Sequence, residues 1–529
     1  MNTTEENGAF SAPATTGVPV LPETLRYGQT PIPRKPVIPV PFNNTDSLFA
    51  LLFLACGYLF VWLITPESLG FGVTLFTAAF CTVTLLYLKN RGIPVPGRSH
   101  FWLALTLLSS VNFSLFTNVS LQFFNFLFLM GCAVYWVAVL TSGRMEKELG
   151  AYFLPDMVNQ LFKVPFLNFG CAARIIKGTA VKNKKSKIFL ASLGGALAVL
   201  PVFCIVLSLL MQADGAFQDL MQRITNDVWE HIVNFLLRLL PAFLTGSYMF
   251  GLLYGNIQKR RVDSITAEKS AKFSEKCKIF PSAAAVTALV LLCALYLVFF
   301  GAQTAALFSA FSGQGPQGIT FSEFARRGFF ELCQVALINF GVMIFSSVFI
   351  RTEEGEFRIV RMMQVFLSAE TLLLIASALS KMILYISRYG LTPKRVYTSW
   401  FMMVLAAVFI IIIISRFKKI NLTRNIVLTF AMFFLLLCYA NVDGMIIKYN
   451  IDRYQSGTLK TVDVDMLYGA PDAAKPYVLE LYRNVNDRQL KTELETFLLG
   501  QDEFDSSFQE MNLQKLTARR LQLPYRVKR

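Results

Sequence analysis

A series of long apolar stretches constrains the fold of this chain more than any other feature. Each has roughly the 20 residues that a helix needs to cross a hydrocarbon core. Turn residues or clustered charges separate them. There are eleven: Asp46–Thr65, Gly70–Lys89, Phe101–Thr117, Leu121–Thr141, Ile188–Met211, Ile232–Tyr254, Ala283–Phe308, Phe329–Ile350, Ile359–Lys381, Val396–Ser415 and Thr423–Ala440. They predict an all-α integral membrane protein of about eleven transmembrane helices, with a small helical C-terminal extension.

The composition favours a membrane protein over one that binds nucleic acid. The chain is 54% hydrophobic and 16% charged, whereas soluble domains are about 45–50% apolar and about 25% charged. Its net charge is +16. Residues 443–529 hold 13 basic and 13 acidic side chains, so the excess lies in the loops between apolar stretches. That distribution is typical of membrane topology, and no nucleic-acid partner is predicted.

The distribution of Lys and Arg predicts the orientation, because cytoplasmic loops are enriched in both. With the N-terminus inside, loops 142–187 and 256–280 carry nine and seven of them. Residues 1–45 are then a disordered, Pro-rich cytoplasmic tail. Residues 46–442 form a polytopic transmembrane domain that includes the two basic cytoplasmic loops. Residues 443–529 form an extracytoplasmic helical tail.

The first basic loop contains an apolar helical pattern. Apolar residues from Tyr152 to Phe166 recur at helical spacing near Lys163. They predict either a helix that lies in the inner interface or one packed against the membrane spans. The expected partners are the lipid bilayer, with anionic lipid at the basic inner loops. Protein partners cannot be assigned.

Glu370 is an acid at the midpoint of Ile359–Lys381, where an ionised side chain is costly and usually faces protein or water. At ~100° per residue, Ser377 and Lys381 lie about 20° from it around the helix. Asn339, in the preceding span, has a similar depth. We therefore predict an intramembrane polar path of Glu370, Asn339, Ser377 and Lys381. An amide beside a buried acid fits a proton relay, and equally fits interhelical hydrogen bonding.

Three polar segments predict a charged cluster at the outer face. FSEFARRGFFE, YGLTPKRVY and NVDGMIIKYNIDRY share one side of the membrane in this topology. Glu331 facing Lys381 or Arg388 is the first pair that we expect. The cluster is either a structural set of ion pairs or a polar recognition or permeation site. Its predicted members are Glu323, Arg326, Arg327, Glu331, Arg388, Arg395, Asp443, Asn450 and Arg453.

No motif identifies a catalytic, metal or cofactor site. A G-x-G-x-x-G pattern at Gly313, Gly315 and Gly318 contains Pro316 and follows an apolar span. A dinucleotide site needs it between a strand and a helix, so it is read as a loop. With two His and no C-x-x-C pair, we predict no catalytic residue, metal or cofactor, and an enzyme is the least favoured class.

The outer segments also carry a resemblance. YGLTPKRVY, EFARRGFFEL and NVDGMIIKYNIDRY resemble signature segments of a bacterial membrane family. The chain is similar to domain of unknown function forty-one seventy-three, and to the related domain forty-one fifty-three, from Asp46 to about Pro476. The resemblance implies a multi-pass protein of the bacterial inner membrane without an established activity.

Two functions fit these features. The first is transport of a small solute or proton through the polar path near the ninth span. The second is a non-enzymatic sensor or assembly scaffold that joins partners through the outer tail and the basic inner loops.

The predicted orientation can be tested with a reporter fused after Arg529. An odd number of spans places this end outside, so a periplasm-dependent reporter such as alkaline phosphatase should be active there. A reporter that fluoresces only in the cytoplasm should be silent at the same position. The opposite pattern would contradict the orientation.

Overall fold

A computed structural model describes residues 41–64, 69–146, 148–182, 184–225, 228–260, 267–311, 321–351, 357–500 and 507–526. These residues are mostly helical. The helices are α1 (Asn44–Leu63), α2 (Phe71–Asn90), α3 (Ser99–Leu115), α4 (Val119–Leu140), α5 (Phe153–Val158), α6 (Val164–Leu167), α7 (Cys171–Lys182), α8 (Lys184–Ala213), α9 (Gly215–Thr225), α10 (Val228–Ile257), α11 (Ala267–Cys277), α12 (Ser282–Phe311), α13 (Phe321–Phe349), α14 (Phe357–Tyr389), α15 (Pro393–Phe417), α16 (Leu422–Tyr439), α17 (Val442–Gln455), α18 (Asp465–Tyr468), α19 (Pro471–Asn484), α20 (Arg488–Leu499) and α21 (Leu513–Arg526). A π-helical turn, Asn159–Lys163, joins α5 to α6, and a 3₁₀ turn, Phe508–Glu510, precedes α21.

Nine helices of the described part are long and apolar enough to cross a membrane. They contain Asn44–Leu63, Phe71–Asn90, Ser120–Leu140, Asn234–Ile257, Ser282–Ala302, Gly328–Phe349, Arg358–Tyr389, Pro393–Phe417 and Leu422–Tyr439. The other two predicted spans coincide with α3, of 17 residues, and α8, of 30 residues. Neither is among the nine, so the predicted count of eleven is not confirmed. The multi-pass helical character follows from the nine.

The N-terminal helices pack around a close contact between α1 and α10. A Cβ added at Gly57 would meet the carbonyl oxygen of Ala242 at 2.1 Å. One added at Gly246 would meet Leu54 Cα at 2.7 Å. Small residues allow such close backbone approach between membrane helices. The G-x-x-x-G pair of α10, Gly251 and Gly255, faces α6 and Asn168 of the same chain, so it serves internal packing.

The C-terminal spans α12 to α16 pack around α14. Helices α12, α13 and α15 each contact α14, and α16 packs on α15. Their shared core is apolar; its most buried members include Phe329, Leu367, Leu374, Met402 and Phe409. A short parallel pairing of Phe280–Pro281 with Ile350–Arg351 ties the start of α12 to the end of α13. These contacts fix the three helices that surround the predicted polar path.

The last five helices form a small core of their own beside the ends of the spans. Residues such as Ile451, Leu467, Val478, Leu494 and Phe497 are buried together. The segment before α21 contacts the start of α2 and the end of α3. There the Phe71 N–H donates to the Met511 carbonyl at 2.8 Å, and Asn512 donates to Thr117 Oγ1 at 2.8 Å.

The α1–α10 contact predicts a glycine-specific loss of stability. Gly57→Ala should destabilise the folded protein by about 1–3 kcal/mol, because the new methyl group forces two backbones apart. Gly341→Ala, inside α13, is the matched control, since a Cβ there meets nothing within 4 Å. Thermal unfolding of the purified chain in detergent measures both. Equal melting temperatures for the two variants would contradict the packing argument.

Candidate functional site

Helix α14 carries a row of polar side chains into the centre of the C-terminal bundle. Its interior position follows from the packing of α12, α13 and α15 around it. The buried polar residues along it are Gln364, Ser368, Glu370, Thr371, Ser377 and Lys381. Two faces are used: Gln364, Ser368 and Thr371 share one, and Glu370, Ser377 and Lys381 share the other. Glu370 and Thr371 are consecutive in the chain, so each face has one polar side chain at this level of the helix.

A hydrogen-bond chain crosses three helices at the level of Glu370. The Tyr296 hydroxyl of α12 donates to Asn339 Oδ1 of α13 at 2.7 Å. Asn339 Nδ2 donates to Thr371 Oγ1 of α14 at 2.9 Å, and Thr371 donates to the Leu367 carbonyl at 2.7 Å. The Asn339 amide thus accepts a hydrogen bond from Tyr296 and donates one to Thr371. Asn339 therefore bonds Thr371, the neighbour of the acid, and not Glu370 itself.

Glu370 itself is 3% exposed. Neither of its carboxyl oxygens makes a hydrogen bond of ordinary geometry within the described residues. The side chain that interacts with it is the Cys293 thiol of α12, and a thiol is only a weak donor. A buried carboxyl with so little hydrogen bonding is unusual.

Ser377 and Lys381 continue the same face toward the end of α14. Ser377 is buried, and its hydroxyl has no hydrogen-bond partner in the part of the chain that the structure describes. Lys381 is 4% exposed and lies over Gly328 of α13, where an added Cβ would meet its Nζ at 2.5 Å. Lys381 also interacts electrostatically with Glu331, which is exposed. The expected pairing of Glu331 with Lys381 or Arg388 stays a prediction.

The remaining outer residues mostly fix the turn between α14 and α15 against α17. Asn450 accepts the Leu391 N–H at 2.8 Å and donates to the Leu391 carbonyl at 2.8 Å. Arg395 donates to the carbonyls of Tyr389 and Gly390, and Arg453 donates to that of Ile386 at 3.1 Å.

Other members of the predicted outer cluster do not join that turn. Arg388 is exposed. Glu323, Arg326 and Arg327 lie on α13, with side chains outside the described part. Asn450, Arg395 and Arg453 make these side-chain-to-backbone contacts within the described residues, and the convergent outer cluster as a whole stays a prediction.

Asp443 sits apart from the hydrogen bonds of that turn. Its side chain lines a cavity of about 330 Å³ with Ser120, Pro393 and Met466, among other residues. Burial raises the pKa of the Asp443 carboxyl to about 6, because a charged group is disfavoured away from water. Asp443 is thus an acid whose charge changes in the physiological range.

Sequence reasoning missed three of the side chains that surround the acid. Cys293 and Tyr296 lie one turn apart on α12, and Thr371 follows Glu370 directly. The i, i+3 spacing of Cys293 and Tyr296 in an otherwise apolar helix was an available signal. Nothing in a single sequence shows, however, that α12 packs beside α14. Within the described residues, no group of three His, Cys, Asp or Glu could hold a metal ion.

The helical segment of the first basic loop has an exposed apolar face and a packed polar face. Leu154, Val158, Phe162 and Phe166 are exposed at four-residue spacing. The opposite side is polar and packed: Gln160 and Asn256 of α10 exchange amide hydrogen bonds at 3.0 and 2.7 Å. The polar side of this segment is thus packed against α10, and contact of its exposed apolar side with the inner interface stays a prediction.

These features define a multi-pass helical membrane protein with a polar row inside its C-terminal bundle. The chain belongs to the family Domain of unknown function (DUF4153), whose model matches residues 103–481. The likeness to domain forty-one seventy-three is not confirmed. No curated protein and no solved structure matches the chain.

Asp443 predicts a pH-dependent stability. Its pKa in the folded chain, about 6, exceeds the ordinary value of 3.8, so the stability associated with the neutral form is lost as the pH rises through that interval. The melting temperature of the purified chain should therefore fall between about pH 4 and pH 7. Asp443→Asn should flatten this slope, and Glu493→Gln, at an exposed position, should not. An unchanged slope in Asp443→Asn would contradict the assignment.

Proposed function

We propose that this protein moves protons across a bacterial cytoplasmic membrane along the polar row of α14. The observation that carries the proposal is Glu370. It is a buried acid whose two oxygens make no ordinary hydrogen bond within the described residues. Intramembrane acids of this kind mark proton relays and ion pathways in membrane proteins.

The length of the row supports a path across the membrane. From Gln364 to Lys381 the helix rises about 26 Å at ~1.5 Å per residue, close to the ~30 Å of the hydrocarbon core. At one end the Gln364 amide donates to Ser346 of α13 at 2.8 Å. At the other end Lys381 interacts with the exposed Glu331. A proton would therefore meet polar groups at both ends and at the centre.

The packing around Glu370 favours a proton over a larger solute. Glu370 does not line any of five well-formed cavities, of about 330 to 800 Å³, in the described part of the chain. A proton needs only side chains and transient water, whereas a solute needs a continuous cavity. About 10 Å of helix separates Glu370 from Ser377. Water has to enter this interval for the proton to cross, which makes water entry the gating step.

The surrounding residues have distinct parts in this proposal. Glu370 takes up and releases the proton. Tyr296 and Asn339 hold Thr371, and with it the adjacent turn of α14, in a fixed orientation. Lys381 and Glu331 exchange protons with water at the outer end, in the orientation predicted from the Lys and Arg distribution.

Proton flux in vesicles tests the proposal. The purified chain is reconstituted in liposomes that contain a pH-sensitive dye, and a potassium diffusion potential drives protons inward. Wild-type protein should acidify the lumen faster than empty liposomes. Glu370→Gln keeps the size of the side chain but cannot carry the charge, so its flux should fall at least about tenfold, in line with the loss of a group that transfers protons.

The control is Thr371→Val, which removes the bond to Asn339 and leaves the acid. It should keep measurable flux at a reduced rate. Equal flux in wild-type protein, Glu370→Gln and empty liposomes would contradict proton movement. It would favour the scaffold alternative, provided that wild-type protein and Glu370→Gln both elute as folded species.

A further inference from the structure

A basic pocket lies between the start of α3, the loop after α4 and the start of α16, at the end of the bundle that the Lys and Arg distribution predicts to be cytoplasmic. It measures about 390 Å³, and three arginines from separate segments line it: Arg98, Arg144 and Arg424. They come from the start of α3, the loop after α4 and the start of α16. Glu148 also lines the pocket and pairs with Arg98 at 2.9 Å, where both side chains are exposed. With three positive charges and one negative charge, the pocket is complementary to an anion.

The walls that hold these arginines are tied together. Asn421 Nδ2, just before α16, donates to the Leu149 carbonyl at 2.8 Å. The Arg144 guanidinium lies over the Tyr135 ring, 5.9 Å from its centre. Tyr135 in turn contacts Trp102, with ring centroids 4.4 Å apart. The pocket is thus assembled from α3, α4 and α16 by contacts between these elements.

An apolar crevice lies next to this pocket, on the other side of Trp102. It measures about 460 Å³, and its exposed lining is entirely apolar in character; Trp102 is a wall of both the crevice and the basic pocket. Its other walls include Phe128, Gly131, Val404, Leu405 and Phe430. Phe128 and Phe430 also line a further crevice, of about 800 Å³, between α4, α15 and α16. The arginine pocket and the apolar crevices thus lie side by side, sharing Trp102 as one wall and Phe128 and Phe430 as others.

We propose that this composite site binds one anionic phospholipid, with its phosphate among Arg98, Arg144 and Arg424 and an acyl chain in the crevice. Arginine presents forked donors that match phosphate oxygens. Basic pockets between membrane helices on the cytoplasmic side bind acidic lipid head groups. The charge of the pocket selects the head group and the crevice selects a lipid over a soluble phosphate. This site is independent of the proton path of α14.

Lipid retention on the full chain tests the site. Protein in detergent micelles is titrated with phosphatidylglycerol or with phosphatidylcholine of the same acyl chains, and bound lipid is counted by native mass spectrometry. Phosphatidylglycerol should bind with the higher affinity. Arg144→Gln/Arg424→Gln should weaken it more than tenfold, at roughly fivefold per basic residue, and should leave phosphatidylcholine unchanged.

Two further variants separate the alternatives. Lys272→Gln/Lys276→Gln removes the same charge from exposed positions on α11 and should leave binding unchanged. Gly131→Leu fills the crevice, because a Cβ there meets only Met157 Cε, at 3.8 Å. It should weaken phosphatidylglycerol binding severalfold while all three arginines remain. If the double arginine variant does not fold, Arg424→Gln alone should still bind roughly fivefold more weakly.

Three results would overturn the proposal. Equal losses in the arginine and lysine double variants would mean general attraction between basic surface and anionic lipid. Equal affinity for the two lipids would remove the role of charge. Unchanged lipid binding in Gly131→Leu, together with competition by soluble glycerol phosphate at the concentration of the lipid, would show a soluble-anion site without an acyl-chain component.

Discussion

One constraint shapes this structure: polar groups inside a hydrocarbon layer must find hydrogen-bond partners within the protein. Water is absent there, so an unsatisfied amide or hydroxyl costs several kcal/mol. The buried amides obey it: Gln364 bonds Ser346, and Asn339 bonds both Tyr296 and Thr371. Each of these bonds joins two helices, so the polar groups that make burial costly also fix which helices are neighbours.

The same constraint governs the ends of the spans. Asp46, at the start of α1, is 0% exposed. It is held by Arg91, at the end of α2, and by the Tyr87 hydroxyl at 2.6 Å. Breaking a buried pair of this kind leaves an uncompensated charge. Together with the close contact at Gly57, it locks α1 against α2 and α10.

How much the sequence could predict depends on the kind of information needed. The length of the apolar stretch predicted the ninth span as Ile359–Lys381, whereas α14 runs from Phe357 to Tyr389. The helix is longer because hydropathy detects only the part inside the hydrocarbon, and the helix continues past that part. The central position of Glu370 was likewise readable from length. The bond of Asn339 to Thr371 was not, since a depth match does not fix the angle of a side chain around its helix. Cys293 was missed because helix adjacency is a tertiary property.

Glu370 is an exception to this constraint among the buried polar groups of α14. A glutamine has the same size and could donate and accept hydrogen bonds without ever carrying charge, so interhelical adhesion alone does not require an acid. The neighbouring polar groups do not compensate Glu370 either, because Asn339 is engaged with Tyr296 and Thr371. The carboxyl is therefore surrounded by groups that hold its helix in place, and within the described chain its oxygens have the weak contact of the Cys293 thiol but no hydrogen bond of ordinary geometry. In the proposed relay, such a group changes its protonation state when water reaches it, a property that a purely structural contact does not need.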